Sequence, residues 1–248
     1  MASLMDRFAA LNSKGPWRAP RMGKEKALKG GRHPVLDVTA GSGSAAGSGS
    51  PVAHAVLGTP LGGAEQFRES CPDAQELILG AGCFWGVERL YWSIDGVLGT
   101  SVGYAGGWTA NPTYREVCTG RTDHAEVVRV VFNPATVSVE ELLQVMFENH
   151  DPTLGDRQGN DVGSQYRSCV FASDDAQLAR VEAAVQAWAP RFVKAGLGEV
   201  TTETSLMSTA GDGHYYLAEI EHQQYLHKNP GGYCNHGPNG VSCPTGVL

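Results

Sequence analysis

A cysteine held between glycines and followed by two aromatic rings, Gly82-Cys83-Phe84-Trp85-Gly86, is the strongest chemical signal in this chain of 248 residues. A thiolate is a nucleophile and an electron donor. Apolar rings beside it form a pocket for an apolar group, and glycines let backbone and ligand approach closely. Four other segments carry polar residues without a simple packing role: Asn111–Val117, Gly120–Val127, Gln158–Ser168 and His222–Cys234. Within them, Glu126 enters an apolar strand beside Val127 and Val128, where desolvation raises a carboxyl pKa and lets it carry a proton near neutrality. The plainer alternative is a solvent-facing strand residue. Tyr114 and Tyr166 read either as half-buried core tyrosines or as hydroxyl donors to a developing oxyanion. Asp161, alone, reads as a turn or cap residue.

These residues need elements to position them. Leu77–Ala81 is a short apolar run that predicts a buried strand, and residues 84–94 predict a helix. Cys83 then sits at the strand-to-helix turn, where free amide N–H groups and the helix dipole favour a thiolate. Further strands are expected at 97–103, 127–132, 166–172 and 200–206. Helices are expected at 139–149, capped by Ser138, and at 174–189, capped by Ser173, with a short turn at 114–119 and a weak helix at 4–11. The polar loop 150–165 is long enough to be functional. Strands and helices alternate without the rhythm of a doubly wound sheet, so an α+β layered sandwich is expected. A dinucleotide fold is disfavoured, because Trp85 stands where its third glycine belongs.

Composition narrows the classes. Hydrophobic residues make up 42% and charged residues 18%, an ordinary soluble balance, and no apolar run is long enough to span a membrane. Net charge is -7, unevenly spread: residues 1–33 hold eight Lys/Arg against Asp6 and Glu25, and the rest is acidic. An acidic body argues against nucleic acid as a partner. The basic leader reads as a disordered arm, with a docking extension or an organelle address as alternatives. Six cysteines, Cys71, Cys83, Cys118, Cys169, Cys234 and Cys243, are irregularly spaced with no Cys-x-x-Cys, which favours free thiols in a reducing compartment over a disulfide framework. Cys234, His236 and Cys243 fit no standard zinc spacing.

Taken in order, Gly82–Gly86, Gly103-Tyr104-Ala105-Gly106-Gly107, Asn111-Pro112-Thr113-Tyr114, His124-Ala125-Glu126, Asn149–Thr153, Gln158–Asp161 and Gln165–Ser168 resemble the peptide-methionine (S)-S-oxide reductases, the A-type methionine sulfoxide reductases, over roughly residues 76–234. The resemblance implies a two-layer α/β sandwich with a ferredoxin-like core, a mixed sheet and a long glycine-rich C-terminal coil. It implies that Cys83 attacks the sulfoxide sulfur and becomes a sulfenic acid, that Phe84 and Trp85 cradle the S-methyl group, and that Glu126, Tyr114 and Tyr166 handle the oxygen. Asp161 organises the site and His222 joins the substrate contacts. Cys234 is implied as the resolving thiol and Cys243 as a recycling thiol. The implied reductant is thioredoxin or dithiothreitol with no cofactor and no metal. Implied substrates are free or protein-bound methionine sulfoxide, and the implied state is a cytoplasmic monomer. The expected organisation is a leader (1–39), a Gly/Ser linker (40–50), an extended arm (51–75), a catalytic domain (76–230) and a mobile tail (231–248). A thiol peroxidase and a redox-sensing binding module are the competing readings. The apolar rings disfavour the first, and the complete acid and tyrosine set disfavours the second.

Overall fold

The computed structural model describes residues 4–13, 15–38 and 52–242. The 40–50 linker and Cys243 lie outside them. After a short helix α1 (Leu4–Leu11), the body runs β1 (Gln75–Ala81), α2 (Phe84–Tyr91), β2 (Val97–Ala105), α3 (Tyr114–Val117), β3 (Ala125–Phe132), α4 (Val139–Asn149), β4 (Arg157–Gln158), β5 (Asp161–Val162), β6 (Ser168–Ala172), α5 (Asp175–Lys194), β7 (Glu203–Leu206), β8 (Tyr216–Leu217) and α6 (Tyr225–Lys228). Six strands form one sheet in the order β7-β6-β1-β3-β2-β8. Only β6 and β7 pair in parallel, joined through α5. The inner four strands, β6-β1-β3-β2, with helical crossovers between β1 and β2 and between β3 and β6, have the ferredoxin-like order on a mixed sheet.

The strands are apolar on both faces because both faces are covered. Leu77 and Leu79 of β1 and Val128, Val130 and Phe132 of β3 meet α2, α4 and α5 in the main core. The alternate residues face the other way. Ile78 and Val127 pack with Phe171, Ala210 and Tyr215, while Val131 packs with Phe67 and Ala74 of the arm. Arg129, the polar break in β3, lies under the Tyr215 ring at 4.0 Å and 3.9 Å from Glu76. His54 ties the arm to the core: its Nδ1 accepts the Val56 and Leu57 amides, so its Nε2–H faces Thr100 Oγ1 at 2.7 Å, and Thr100 donates to the buried Glu88 at 3.0 Å.

Local differences from the sequence reading have local causes. Helix α2 stops at Tyr91, because Ile94 turns back on the Tyr91 carbonyl before Gly96 at φ +88°. Asp174, not Ser173, caps α5 by accepting the Gln177 amide at 2.8 Å, and Ser173 Oγ donates to the Glu76 carbonyl instead. Tyr166 ends a 3-10 turn (Ser164–Tyr166) ahead of β6, and the loop 150–165 contains the β4–β5 hairpin. Strand β8 was not expected.

Residues 15–38 differ most from the expected disordered arm, since they lie along the body. Trp17 N–H donates to the Leu154 carbonyl at 3.0 Å, and Asp156 N–H donates back to the Trp17 carbonyl at 2.7 Å. The buried Asp156 carboxylate accepts the Ala19 amide at 2.8 Å and pairs with Arg18 at 3.4 Å. Arg21 pairs with Glu203 and, at 3.7 Å, with Asp123. Further along, Leu28 N–H reaches the Arg121 carbonyl at 3.1 Å. Arg18 and Arg21, two of the leader's eight basic residues, are thus matched to acids of the body. Among the described residues no helix is long and apolar enough to cross a membrane.

Candidate active site

Strand β1 delivers Cys83 to the N-cap of α2 through Gly82, whose φ of +99° belongs to glycine. A Cβ at Gly82 would also fall 2.6 Å from Gln158 Cβ, so the β4–β5 hairpin closes against this turn only because the position is bare. Cys83 is buried, 6% exposed. Burial pushes its thiol well above the ordinary range, and Glu126, once ionised, adds to that. The Trp85 and Gly86 amides at the start of α2 pull the other way, with a weaker effect. The expectation of a thiolate favoured by the helix start is therefore corrected: in the substrate-free protein, desolvation outweighs the amides and the thiol keeps its proton.

Glu126 lies on the helix-facing side of β3, opposite Tyr104 of β2. It is 1% exposed and accepts the Phe84 amide at Oε2, 3.1 Å away. Its other oxygen, Oε1, is buried without a hydrogen-bond partner. Burial raises its pKa to about 8, the Phe84 amide opposes this, and Asp161 adds to it. A charged carboxylate left half-satisfied costs more than a neutral acid, so the protonated form is the resting one at neutral pH.

Over these two groups sits a pile of rings. Phe84 is buried between Tyr104 (5.8 Å between ring centroids), Tyr114 (6.3 Å) and His222 (5.5 Å). Trp85 stacks on Tyr225 at 4.0 Å and donates its Nε1–H to His222 Nδ1 at 3.2 Å. That bond leaves the His222 proton on Nε2, which faces Glu219 Oε2 at 3.8 Å, and burial holds the imidazole pKa down. Tyr114 opens α3, which is fixed by a capping box between Thr113 and Glu116. Burial raises the hydroxyl pKa of Tyr114 and Tyr166, with Glu126 as the next cause for both, so they stay protonated donors beside the same carboxyl.

Asp161, at the start of β5, faces the tail. It accepts the Tyr233 hydroxyl at 3.1 Å and the Asn235 amide at 2.7 Å, on either side of Cys234. The Cys234 sulfur accepts from Arg89 of α2 at 3.2 Å. A Cβ on Gly86, three residues after Cys83, would lie 3.1 Å from that sulfur. The chain therefore brings Cys83, Phe84, Trp85, Tyr114, Glu126, Asp161, Tyr166, His222 and Cys234 to one end of the sheet.

The sequence reading missed Glu219. Its carboxylate accepts the Tyr104 hydroxyl and the Tyr114 amide, each at 2.8 Å, and so fixes α3 against β2. Nothing in Ala218–Glu221 signals this, because the partners are over a hundred residues away. Tyr104 stands in the Gly103–Gly107 motif and Tyr225 in the segment after His222, and nothing in the local sequence marks either as part of the site.

The sequence pattern of the family "Peptide methionine sulfoxide reductase" matches residues 75–241. The chain is 58% identical over 207 residues to the peptide methionine sulfoxide reductase MsrA of Salinispora tropica, covering 80% of this chain and 90% of that one. It is 51% identical to the MsrA of Corynebacterium glutamicum strain R, covering 88% and 92% respectively. The solved structure of methionine sulfoxide reductase A from Corynebacterium diphtheriae superposes with a TM-score of 0.74 at 46% identity, covering 92% of this chain and all of that one. Reduced Mxr1 from Saccharomyces cerevisiae superposes with a TM-score of 0.58 at 37% identity, over 65% of this chain and 89% of that one. A buried cysteine beside a protonated acid and a ring-lined pocket, on a fold and sequence shared with these proteins, places the chain in the peptide methionine sulfoxide reductase family, of the MsrA type.

Proposed function

We propose that Cys83 is the nucleophile and Glu126 the proton donor of methionine sulfoxide reduction in this chain. Phe84 and Trp85 hold the S-methyl group, with His222 fixing the indole. Tyr114, Tyr166 and the unpartnered Glu126 oxygen receive the sulfoxide oxygen. Cys83 attacks the sulfoxide sulfur as its proton departs. The oxygen passes to the Cys83 sulfur, which is oxidised to a sulfenic acid while the substrate sulfur is reduced to the thioether. Glu126 gives its proton to that oxygen and recovers one from the Cys83 thiol, so no proton is lost. The observation that carries this reading is the pairing of the two groups: the Phe84 amide, next in sequence to Cys83, holds Glu126 Oε2 at 3.1 Å and leaves Oε1 free of partners.

Cys234 then condenses with the sulfenic acid to form a disulfide and water. Cys243, beyond the described residues, exchanges with that disulfide and passes the electron demand outward. The final reductant is an external dithiol of the thioredoxin class, which reduces the last disulfide and is itself oxidised. No organic cofactor is required for this cycle. We assign catalysis to residues 76–230, exchange to 231–248, and the protein to a cytoplasmic monomer.

Single-turnover and steady-state assays test the assignment. Cys83→Ser is expected to abolish reduction of methyl sulfoxides, and retained activity overturns the mechanism. Cys234→Ser is expected to release about one methionine per enzyme and then stop cycling with thioredoxin. Unchanged cycling removes Cys234 from the resolving role.

A further inference from the structure

His236 stands two residues after Cys234 and is buried, 9% exposed. Its Nε2 lies 2.7 Å from the carbonyl of Ala81, the last residue of β1. A carbonyl only accepts, so Nε2 carries the imidazole proton. Burial holds the pKa down, and the ring is neutral with its other nitrogen unprotonated. That nitrogen, Nδ1, is buried without a hydrogen-bond partner. The ring occupies space kept open by two glycines that bracket Cys83. A Cβ at Gly86 would fall 2.2 Å from Nδ1, and one at Gly82 would fall 3.4 Å from Nε2. The same missing Gly86 Cβ would lie 3.1 Å from Cys234 Sγ. Thus His236 and Cys234 converge on one bare position of α2, one turn from the nucleophile. The neighbours of His236 bind elsewhere: Asn235 donates to Asp161 and to the Gln158 carbonyl, and Asn239 donates to the Phe147 carbonyl. His236 is the tail residue that hydrogen-bonds the end of β1, immediately before the Cys83 turn.

We propose that His236 is the positioning residue of the resolving step. Its Nε2–H, donated to Ala81, locks the tail into the turn and holds the Cys234 thiol beside the N-terminal turn of α2. The inference rests on the reading of Cys83 and Cys234 as the redox pair. In the step it serves, the S–O bond of the Cys83 sulfenic acid breaks and an S–S bond forms. The Cys83 sulfur is reduced, the Cys234 sulfur is oxidised, and the thiol proton leaves with the hydroxyl as water. His236 takes no part in the electron flow. It sets the geometry, and misplacement by about 1 Å is enough to cost about a hundredfold in rate. An imidazole left with one unsatisfied nitrogen is a costly anchor on stability grounds alone.

The test separates the two half-reactions in the full-length protein. Methionine release reports sulfenic acid formation, and loss of two free thiols reports the disulfide. For His236→Leu, which fills the space but donates nothing, methionine release is expected to stay within about twofold of wild type while disulfide formation slows at least about tenfold. Dimedone is then expected to trap the accumulated sulfenic acid. His236→Gln restores a donor towards Ala81 and is expected to recover most of the lost rate. Gly86→Ala, which closes the same space from the helix side, is expected to slow the same step. Disulfide formation at the wild-type rate in His236→Leu, equal slowing of both half-reactions, or a His236→Gln variant no faster than His236→Leu overturns the proposal. If Cys234→Ser itself still cycles, the redox-pair reading fails first, independently of any His236 variant.

Discussion

Glu126 holds its proton because it is sealed in with a single amide donor, and this gives the site a pH dependence of known sign. Its pKa of about 8 lies above the usual carboxyl range, chiefly through burial. The acid is therefore present at neutral pH and lost as pH rises through about 8, so the rate of sulfenic acid formation is expected to fall on that limb. Glu126→Gln keeps the shape and removes the transferable proton. It is expected to lower that rate by roughly 10²–10⁴ and to erase the alkaline limb, as read by pre-steady-state methionine release across pH. A change confined to KM would indicate binding alone. Glu126 was legible in the sequence because an acid entering an apolar strand is an anomaly that a local pattern displays. Glu219, with two hydrogen bonds into the same site, was not, because an acid in a polar segment carries no such contrast.

At the scale of elements, caps decide which side chains are held still. Thr113 and Ser138 make equivalent capping boxes, with their hydroxyls accepting the Glu116 and Glu141 amides at 3.2 Å each. Removing either hydroxyl costs about 1 kcal/mol, which lowers Tm by roughly 2–4 °C in a domain of this size. The two variants are expected to part company in activity. Thr113→Ala loosens the turn that begins with Tyr114 and lowers kcat/KM, whereas Ser138→Ala, at the head of α4, leaves it unchanged. Thermal melts paired with steady-state assays check this, and equal activities would separate Tyr114 from its cap. Elements specified by their own residues were readable in advance: the β1–α2 turn, the Ser138 cap, and β3. Those settled by distant partners were not. Asp174 rather than Ser173 caps α5 because the Glu76 carbonyl claims the serine, and β8 exists only through its pairing with β2.

The whole molecule adds two terms that no single element contains. The first is charge matching between leader and body. Each of the Arg18 and Arg21 pairs is partly exposed and worth about 0–1 kcal/mol, so together they offer one or two. Replacing both arginines by alanine is expected to speed exchange of the Leu28 amide by roughly five- to thirtyfold while leaving single-turnover methionine release intact. The sequence displayed the asymmetry of charge. It did not display that Asp123, Asp156 and Glu203 would face it, because those acids meet only in the fold.

The second term is the set of buried titrating groups. Glu126 and Glu88 have folded pKa values of about 8 and about 7 against 4.5 when exposed. They bind protons more tightly when folded, so they cost nothing below pH 4.5 and destabilise progressively as pH rises to those values. His54 and His150 are both held near 4 against 6.5, so they cost nothing above pH 6.5 and destabilise as pH falls towards 4. The two slopes oppose each other between 4.5 and 6.5. Above that window only the acids remain, each on the order of 1 kcal/mol per pH unit. Denaturant midpoints are expected to fall from about pH 6.5 to about pH 8, and Glu126→Gln is expected to reduce that fall. An unchanged slope would place the alkaline loss elsewhere.

The protonated state of Cys83 has a consequence for how long the enzyme survives its own working conditions. Oxidants attack sulfur as thiolate, and a thiol that keeps its proton inside a closed turn is a slow target for them. Cys83 of the resting protein is therefore expected to react slowly with peroxide, as read by dimedone trapping in the absence of substrate. On the proposed mechanism reactivity arrives with a substrate that fills the ring-lined pocket and takes up the Glu126 proton, so the burial that poses the chemical problem also restrains self-inactivation.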